Sequence, residues 1–400
     1  MTISPRLPHC DTPQAPWSQH IASVVRQAIE AQRLVGAVVL VAHDGRLLHQ
    51  QAAGLADRES GRAMALDTIF RLSSVSKPIV SAAALKLAAQ GRLALDDGVD
   101  RWLPGFRPRT ADGRPARITA RQLLSHTAGL GYRFLEADGD GPYARAGVSD
   151  GMDGSDISLD ENLRRIASVP LLYEPGTAWC YSLATDVLGA LVERVQDAAL
   201  ADAVHTLVTG PLDMADTGFT ARAPHRVATA YVQGTPQPHR LEEGETVPVF
   251  DGTVGIAYSP RRIFDARAFA SAGAGMSGTA GDVLRLLEAL RPGGANALLA
   301  ADWSTQMARD QIPALDLPNA PGFGFGLGFS VLRDPSAARS PESAGTWRWG
   351  GAYGHSWFVD PARKLSGVAL TNTLYEGMHG RFVTDLRDAI YAAPALEQAR

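Results

Sequence analysis

The chain has 400 residues, of which 45% are hydrophobic and 20% charged, with a formal net charge of −4. That composition is the one expected of an ordinary soluble globule with enough apolar side chains to fill two lobes. No basic stripe stands out, which argues against nucleic acid, a polyphosphate or a membrane surface as partner.

The first sixteen residues, MTISPRLPHCDTPQAP, hold four prolines and no apolar run, so 1–16 reads as an irregular tail without a secretory signal. No window of about 18 apolar residues is free of charge, so no transmembrane helix is expected. The expected address is cytoplasmic. The two cysteines, Cys10 and Cys180, make no disulfide framework, and Cys180 reads as a small apolar residue.

Residues 17–33 carry apolar positions at helical spacing. Residues 34–42 (LVGAVVLVA) form a β-branched run, Asp44-Gly45 a hairpin turn and 46–53 the return strand. A third short strand is expected at 68–72. The segment SSVSKPIVSAAALKLAAQG then predicts a strong helix ending at Gly91. Between 95 and 290, helical pieces at 119–126, 159–168, 183–197, 201–209 and 279–290 alternate with Gly, Pro and Asp-rich stretches. Strand patterns return near 323–333, 346–351, 354–360 and 365–372, and a last helix is expected over 379–391. The fold class is α+β: an antiparallel sheet built from both chain ends, flanked by terminal helices, with a mostly helical lobe inserted. The expected boundaries are 17–94 with 291–400 for the sheet domain and 95–290 for the insertion, with the active site in the cleft between them.

Ser74-Val75-Ser76-Lys77-Pro78 opens the strong helix. Residues three apart share a helix face, so Ser74 and Lys77 point the same way. Pro78 belongs in the first turn, where backbone N–H groups have no intrahelical partner. The Ser74 N–H is therefore available as an oxyanion donor. A helix N-terminus and burial both disfavour an ammonium, so Lys77 is expected as a general base for the serine. Only three lysines exist in the chain, Lys77, Lys86 and Lys364, consistent with Lys kept where a titratable amine is needed.

About a hundred residues on, EPGTAWCYSL turns at Pro175-Gly176 and delivers Tyr181 to the end of a short extended piece, where its hydroxyl can enter a cleft. Near the C-terminus, WRWGGAYGHSW places Gly350 and Gly351 side by side in a strand, where they permit close backbone approach. The Ala352 N–H is then the candidate second oxyanion donor. Tyr132, Trp349 and Trp357 are candidate pocket walls. His126 and His355 are expected to be structural. Gly147-Val148-Ser149-Asp150-Gly151 has the G-x-S-x-G form, but no strand precedes it and no helix follows, so Ser149 is not expected to be the nucleophile.

Ser-x-x-Lys, then Tyr-x-x, then a Gly-rich strand resembles the serine β-lactamase and penicillin-binding-protein superfamily, and within it the family VIII carboxylesterases. The segments RLVGAVVLVA, LLSHTAGLGY, DENLRRIAS, YSLATDVLGALVER, WGGAYGHSWFVD and LTNTLYEGM share in the resemblance. It implies a β-lactamase-like fold with Ser74 as nucleophile, Lys77 and Tyr181 as the proton-transfer pair, Trp349-Gly350-Gly351 in place of Lys-Thr-Gly, and Ala352 as oxyanion donor. Two departures matter. Tyr-x-Asn is Tyr181-Ser182-Leu183, and the strand's lysine is Trp349, so groups for a β-lactam amide and carboxylate are missing. The resemblance therefore implies a carboxylesterase acting on neutral, short-to-medium acyl esters through an acyl-enzyme, with a small-molecule partner and neither cofactor nor metal. The rivals are an acyltransferase using the same acyl-enzyme, a weak β-lactamase or cephalosporin deacetylase, and a non-catalytic ligand sensor.

Overall fold

The computed structural model describes residues 16–294 and 296–392; the expected N-terminal tail and Cys10 lie outside the described residues, apart from Pro16. In chain order, α1 (Pro16–Glu30) leads into β1 (Gly36–His43), β2 (Arg46–Asp57) and a short β3 (Arg62–Ala63). Next come β4 (Phe70–Arg71) and α2 (Ser76–Ala89). The helical part holds α3 (Ala120–Leu124), α4 (Leu159–Ser168) and α5 (Ala184–Gln196). The chain returns through β5 (Ser277–Gly278) and α6 (Ala280–Leu290). It finishes with β6 (Phe323–Phe325), β7 (Ser330–Leu332), β8 (Trp347–Gly351), β9 (His355–Asp360), β10 (Leu365–Thr371) and α7 (Arg381–Tyr391).

The main sheet has eight strands in the order β6-β7-β8-β9-β10-β1-β2-β3, and every neighbouring pair is antiparallel. The N-terminal hairpin thus completes a sheet begun by the C-terminal strands, with Ala37 opposite Thr371 and His43 opposite Leu365. The expected third strand at 68–72 joins a different sheet. Phe70 and Arg71 pair with Gly278 and Ser277, because this segment must leave the sheet to start α2.

Strand alternation sorts the β1 side chains onto two faces. Ala37, Val39 and Val41 join Phe358, Leu365 and Ala369 beneath α1 and α7. Val38, Leu40 and Ala42 face the larger core that holds α2, α5 and α6. A strand buried on both faces reads as a continuous apolar run, which is why LVGAVVLVA shows no polar alternation. Helix α2 is buried nearly all round, from Ser76 to Leu85, as expected of a helix enclosed on every side. It carries the Ser74–Lys77 segment through the middle of the molecule.

The terminal helices pin the outer face. Phe382 of α7 is fully buried in that cluster with Ile21, Val25 and Ala28 of α1. Replacing Phe382 with Ala should lower the unfolding free energy by ~3–5 kcal/mol, read as a reduced urea midpoint. An unchanged midpoint would mean that the terminal helix adds nothing to the stability of the sheet.

Candidate active site

Ser74 sits in a single 3₁₀ turn, Ser73–Val75, that runs directly into α2. The turn is held by its neighbours. The Leu72 N–H donates to the Met276 carbonyl (2.8 Å), and the Met276 N–H donates to Ser76 Oγ (3.2 Å). Ser73 has φ +44°, a left-handed conformation that non-glycine residues avoid. It is fully buried, and its Oγ accepts from the Tyr353 N–H (3.4 Å). The strained residue next to Ser74 is therefore fixed by the loop that follows β8.

Gly351 shows why two glycines stand there. A Cβ at this position would lie 2.6 Å from the Leu72 carbonyl oxygen and 2.6 Å from Ser73 Oγ. The close approach expected of the Gly-Gly pair is thus first of all an approach by the serine turn itself. At Gly350 a Cβ would meet the His355 carbonyl oxygen at 2.7 Å. Among the described residues, no backbone carbonyl accepts from the N–H of Ser74 or of Ala352 outside the helices and strands.

The three side chains singled out in the sequence meet. Tyr181 Oη donates to Ser74 Oγ at 2.6 Å, and Lys77 Nζ donates to the same oxygen at 3.3 Å. Lys77 is fully buried. Its amine also donates to the Gly273 carbonyl (2.9 Å) and lies 4.6 Å from the Tyr181 ring centroid. Gly273 escaped the sequence reading. Its only signal was the Gly-rich run SAGAGMSG, which says little about a carbonyl.

Aromatic rings enclose this group. The Tyr181 ring centroid lies 5.1 Å from that of Tyr132, 5.3 Å from Trp349 and 5.0 Å from His126. Phe325, also missed in the sequence, packs on Trp349 (5.3 Å) and His126 (5.3 Å). Tyr132 is buried and faces Tyr181 and Lys77; burial, then the neighbouring Tyr181, Asp186 and Asp150, hold its phenol neutral. Trp349 is half-buried against Tyr181. Trp357 lies elsewhere: it packs on Phe329 and Trp347 in the core rather than on Tyr181.

The histidines brace the site. His355 is fully buried, and its Nε2–H donates to the Arg71 carbonyl (2.8 Å), tying β9 to the segment before Ser74. Burial lowers its pKa to about 4. His126 Nδ1 accepts from the Ser182 N–H (3.2 Å), beside Tyr181; burial, and then the charge on Lys77, keep it neutral. His49 is buried in β2 with its pKa lowered by burial to about 4. Cys180 is half-buried, and burial raises its thiol pKa.

The G-x-S-x-G segment is a brace too. Ser149 is buried. Its Oγ donates to Asp153 (2.6 Å) and its N–H to Asn162 Oδ1 (2.9 Å). The Asp150 carboxylate accepts from the N–H groups of Arg133 (3.0 Å) and Phe134 (3.0 Å), so the motif holds the loop that carries Tyr132. Among the described residues, no cluster of His, Cys, Asp and Glu could hold a metal ion. None of the described helices is long and apolar enough to cross a membrane.

Comparison with known proteins adds the following. The family model described as Beta-lactamase matches residues 21–392. Esterase EstB of Burkholderia gladioli is 51% identical over 381 residues, covering 94% of this chain and 96% of that protein. The solved structure of "EstCE1, a hydrolase with promiscuous acyltransferase activity" superposes with a TM-score of 0.90 at 44% identity, covering 94% of this chain and 98% of that one. Unliganded simvastatin synthase from Aspergillus terreus gives a TM-score of 0.72 at 21% identity, with 94% and 98% covered, a likeness of fold alone.

Two outcomes follow from this geometry. Gly351→Ala should displace the Ser73–Ser74 turn and lower kcat/KM for a simple ester by at least ~10²-fold, by analogy with loss of one oxyanion donor, while circular dichroism stays native. A Gly351→Ala protein with native kcat/KM would show that the turn tolerates the displacement. For His355 and His49, the folded pKa of about 4 lies below the unfolded value of about 6.5, so the unfolded state binds more protons. Their contribution to stability is then full above about pH 6.5 and falls as the pH drops towards 4. Urea unfolding at pH 5 should show a loss on the order of 1–2 kcal/mol per buried histidine relative to pH 7, and His355→Asn should reduce that loss.

Proposed function

The chain belongs to the β-lactamase family, and from that membership we propose that it is a carboxylic ester hydrolase that acts through an acyl-enzyme on Ser74. The observation that carries the proposal is Ser74 Oγ held between Tyr181 Oη (2.6 Å) and Lys77 Nζ (3.3 Å). The likeness to an esterase, EstB, and to a hydrolase, EstCE1, supports the reaction class.

In the first half-reaction Ser74 Oγ attacks the ester carbonyl carbon and its proton passes to the Tyr181–Lys77 pair. The negative oxygen of the tetrahedral intermediate accepts from the N–H groups of Ser74 and Ala352. The carbon–alkoxide bond breaks, the pair returns the proton to the alkoxide, and the alcohol leaves. Water then enters and gives a proton to the same pair as its oxygen attacks the acyl carbon; the acyl carbon–Ser74 Oγ bond breaks, the pair returns the proton to Ser74 Oγ, and the acid leaves. Every proton borrowed is returned, so no cofactor is required.

Leu183 and Trp349 set the substrate class. Leu183 is fully buried and its N–H donates to the Gly131 carbonyl (3.1 Å), so it offers no amide to a β-lactam or peptide side chain. Trp349 packs on Tyr181 and offers no cation to a carboxylate. A neutral acyl group of short-to-medium length is the substrate that loses least in such a site, and a small-molecule ester is the partner. The free Cys180 thiol fits a reducing compartment, and the cytoplasm belongs to the same proposal.

Acyl transfer is the second reading. Tyr132, Tyr181, Trp349 and Phe325 make an aromatic enclosure in which an apolar alcohol competes better with water for the acyl group. EstCE1 is a hydrolase with promiscuous acyltransferase activity, which supports this reading.

A chain-length series of p-nitrophenyl esters should peak at or below about eight carbons, with turnover lost in Ser74→Ala and kept in Ser149→Ala. Preference for longer chains would overturn the acyl-size assignment, and loss of turnover only in Ser149→Ala would overturn the mechanism. With an alcohol present, product analysis for a new ester separates transfer from hydrolysis. Nitrocefin should be turned over slowly or not at all.

A further inference from the structure

Asp186 lies in the first turn of α5, five residues after Tyr181, and is fully buried. Its Oδ1 accepts from Ser271 Oγ (2.8 Å) and from the Gly273 N–H (3.4 Å). Its Oδ2 is buried and has no hydrogen-bond partner among the described residues. A buried carboxylate oxygen left without a donor is costly, and such groups need an account.

Gly273 supplies one. Its N–H binds Asp186 while its carbonyl accepts from Lys77 Nζ (2.9 Å). A Cβ placed on Gly273 would lie 2.8 Å from Asp186 Oδ2, 3.4 Å from Lys77 Nζ and 3.4 Å from Tyr132 Oη. The free carboxylate oxygen, the amine and a phenol therefore converge on one point beside the glycine. The Ser271–Gly275 segment is tight, with the Gly275 N–H donating to the Ser271 carbonyl (2.8 Å), so fixing Ser271 and Gly273 also fixes the carbonyl that holds the amine.

Resting on the Ser74 reading above, we propose that Asp186 is a positioning residue for Lys77. It anchors the Gly273 carbonyl that orients the amine, and it supplies the negative charge that balances the amine's protonated form during proton transfer. Burial raises the Asp186 pKa, while its hydrogen bond from Ser271 and the charge on Lys77 oppose that shift, so the carboxylate and the amine share one electrostatic environment. The titratable groups facing the pair are Tyr132 and Tyr181, with His126 beside Lys77, Arg262 near Asp186 and Asp150 near Tyr132. Of these groups, only Asp186 reaches the amine's own carbonyl partner through one residue.

The test compares wild type, Asp186→Asn, Ser271→Ala, Gly273→Ala and Ser74→Ala as full-length proteins, with p-nitrophenyl acetate over pH 5–9. Asn keeps an acceptor for Ser271 and Gly273 but removes the charge. The expected result is a fall in kcat of at least ~10-fold with little change in KM. The acidic limb of the kcat/KM profile should move to lower pH, because a neighbouring carboxylate favours a protonated base and an amide does not. Ser271→Ala keeps the charge and should leave the limb where it is. An Asp186→Asn protein with wild-type kcat and an unmoved limb overturns the proposal. If Asp186→Asn does not fold, Gly273→Ala decides: its Cβ would lie 2.8 Å from Asp186 Oδ2 and 3.4 Å from Lys77 Nζ and displace one or both, so native kcat there also overturns it. Turnover by Ser74→Ala would instead reject the underlying mechanism, so the two failures are told apart.

Discussion

The contact of Gly351 with the Leu72 carbonyl and the Ser73 hydroxyl is the constraint on which the rest of the site depends. It brings a strand of the sheet against the turn that opens α2, with no room for a single methyl group. Everything that positions Ser74 converges there. Ser73 is held at positive φ by the Tyr353 N–H, Arg71 is tied to His355, and Leu72 is tied to Met276. These bonds reach the serine turn from two far-apart stretches of chain. Strain in one residue can persist because its surroundings over-determine it. The sheet, made from both chain ends, is what presses β8 against the start of the helix.

A second constraint is the buried lysine. An ammonium in the core is tolerated only when its donors are satisfied and its charge is met. Lys77 has Ser74 Oγ and the Gly273 carbonyl as acceptors and the faces of Tyr181 and Tyr132 beside it. The rings present their negative faces to the amine, so the aromatic enclosure also stabilises it. The helical part of the molecule is needed for this, because Tyr132, Tyr181 and Gly273 all come from it.

Much of this was legible in the sequence. Ser74, Lys77 and Pro78 are close in sequence, and the rules of a helix's first turn are local, so their arrangement followed from spacing alone. The sheet strands were legible because β-branched runs and turn pairs are also local signals. What stayed hidden was long-range. The segment at 68–72 has the composition of a sheet strand, yet it pairs with 277–278, and nothing within it records that partner. Gly273 contributes a carbonyl, a group every residue has, so its identity carries no sign of its role. Trp357 shows the converse: aromatic composition near a glycine pair suggested a pocket wall, and it does share a sheet face with Trp349, its register partner, but its ring packs on Phe329 and Trp347, which the sequence near it does not record.

The chemistry of recognition follows from what replaces the missing polar groups. A β-lactamase-like cleft that uses an amide and a lysine recognises its substrate by charge and directed hydrogen bonds. Here the sequence has Leu183 and Trp349 where that pattern has the amide and the lysine, Phe325 packs edge-on against Trp349, and Trp349 lies tilted against Tyr181. Such a wall gains affinity from apolar area, roughly 25 cal/mol per Å² buried, and does not depend on the sign of a charge. It would leave a bound carboxylate desolvated and unpaired, which is expensive. On the proposed reading, the same fold and the same serine turn would favour neutral esters because the cost of burying an anion is no longer offset, and no change in the nucleophile is needed to account for it.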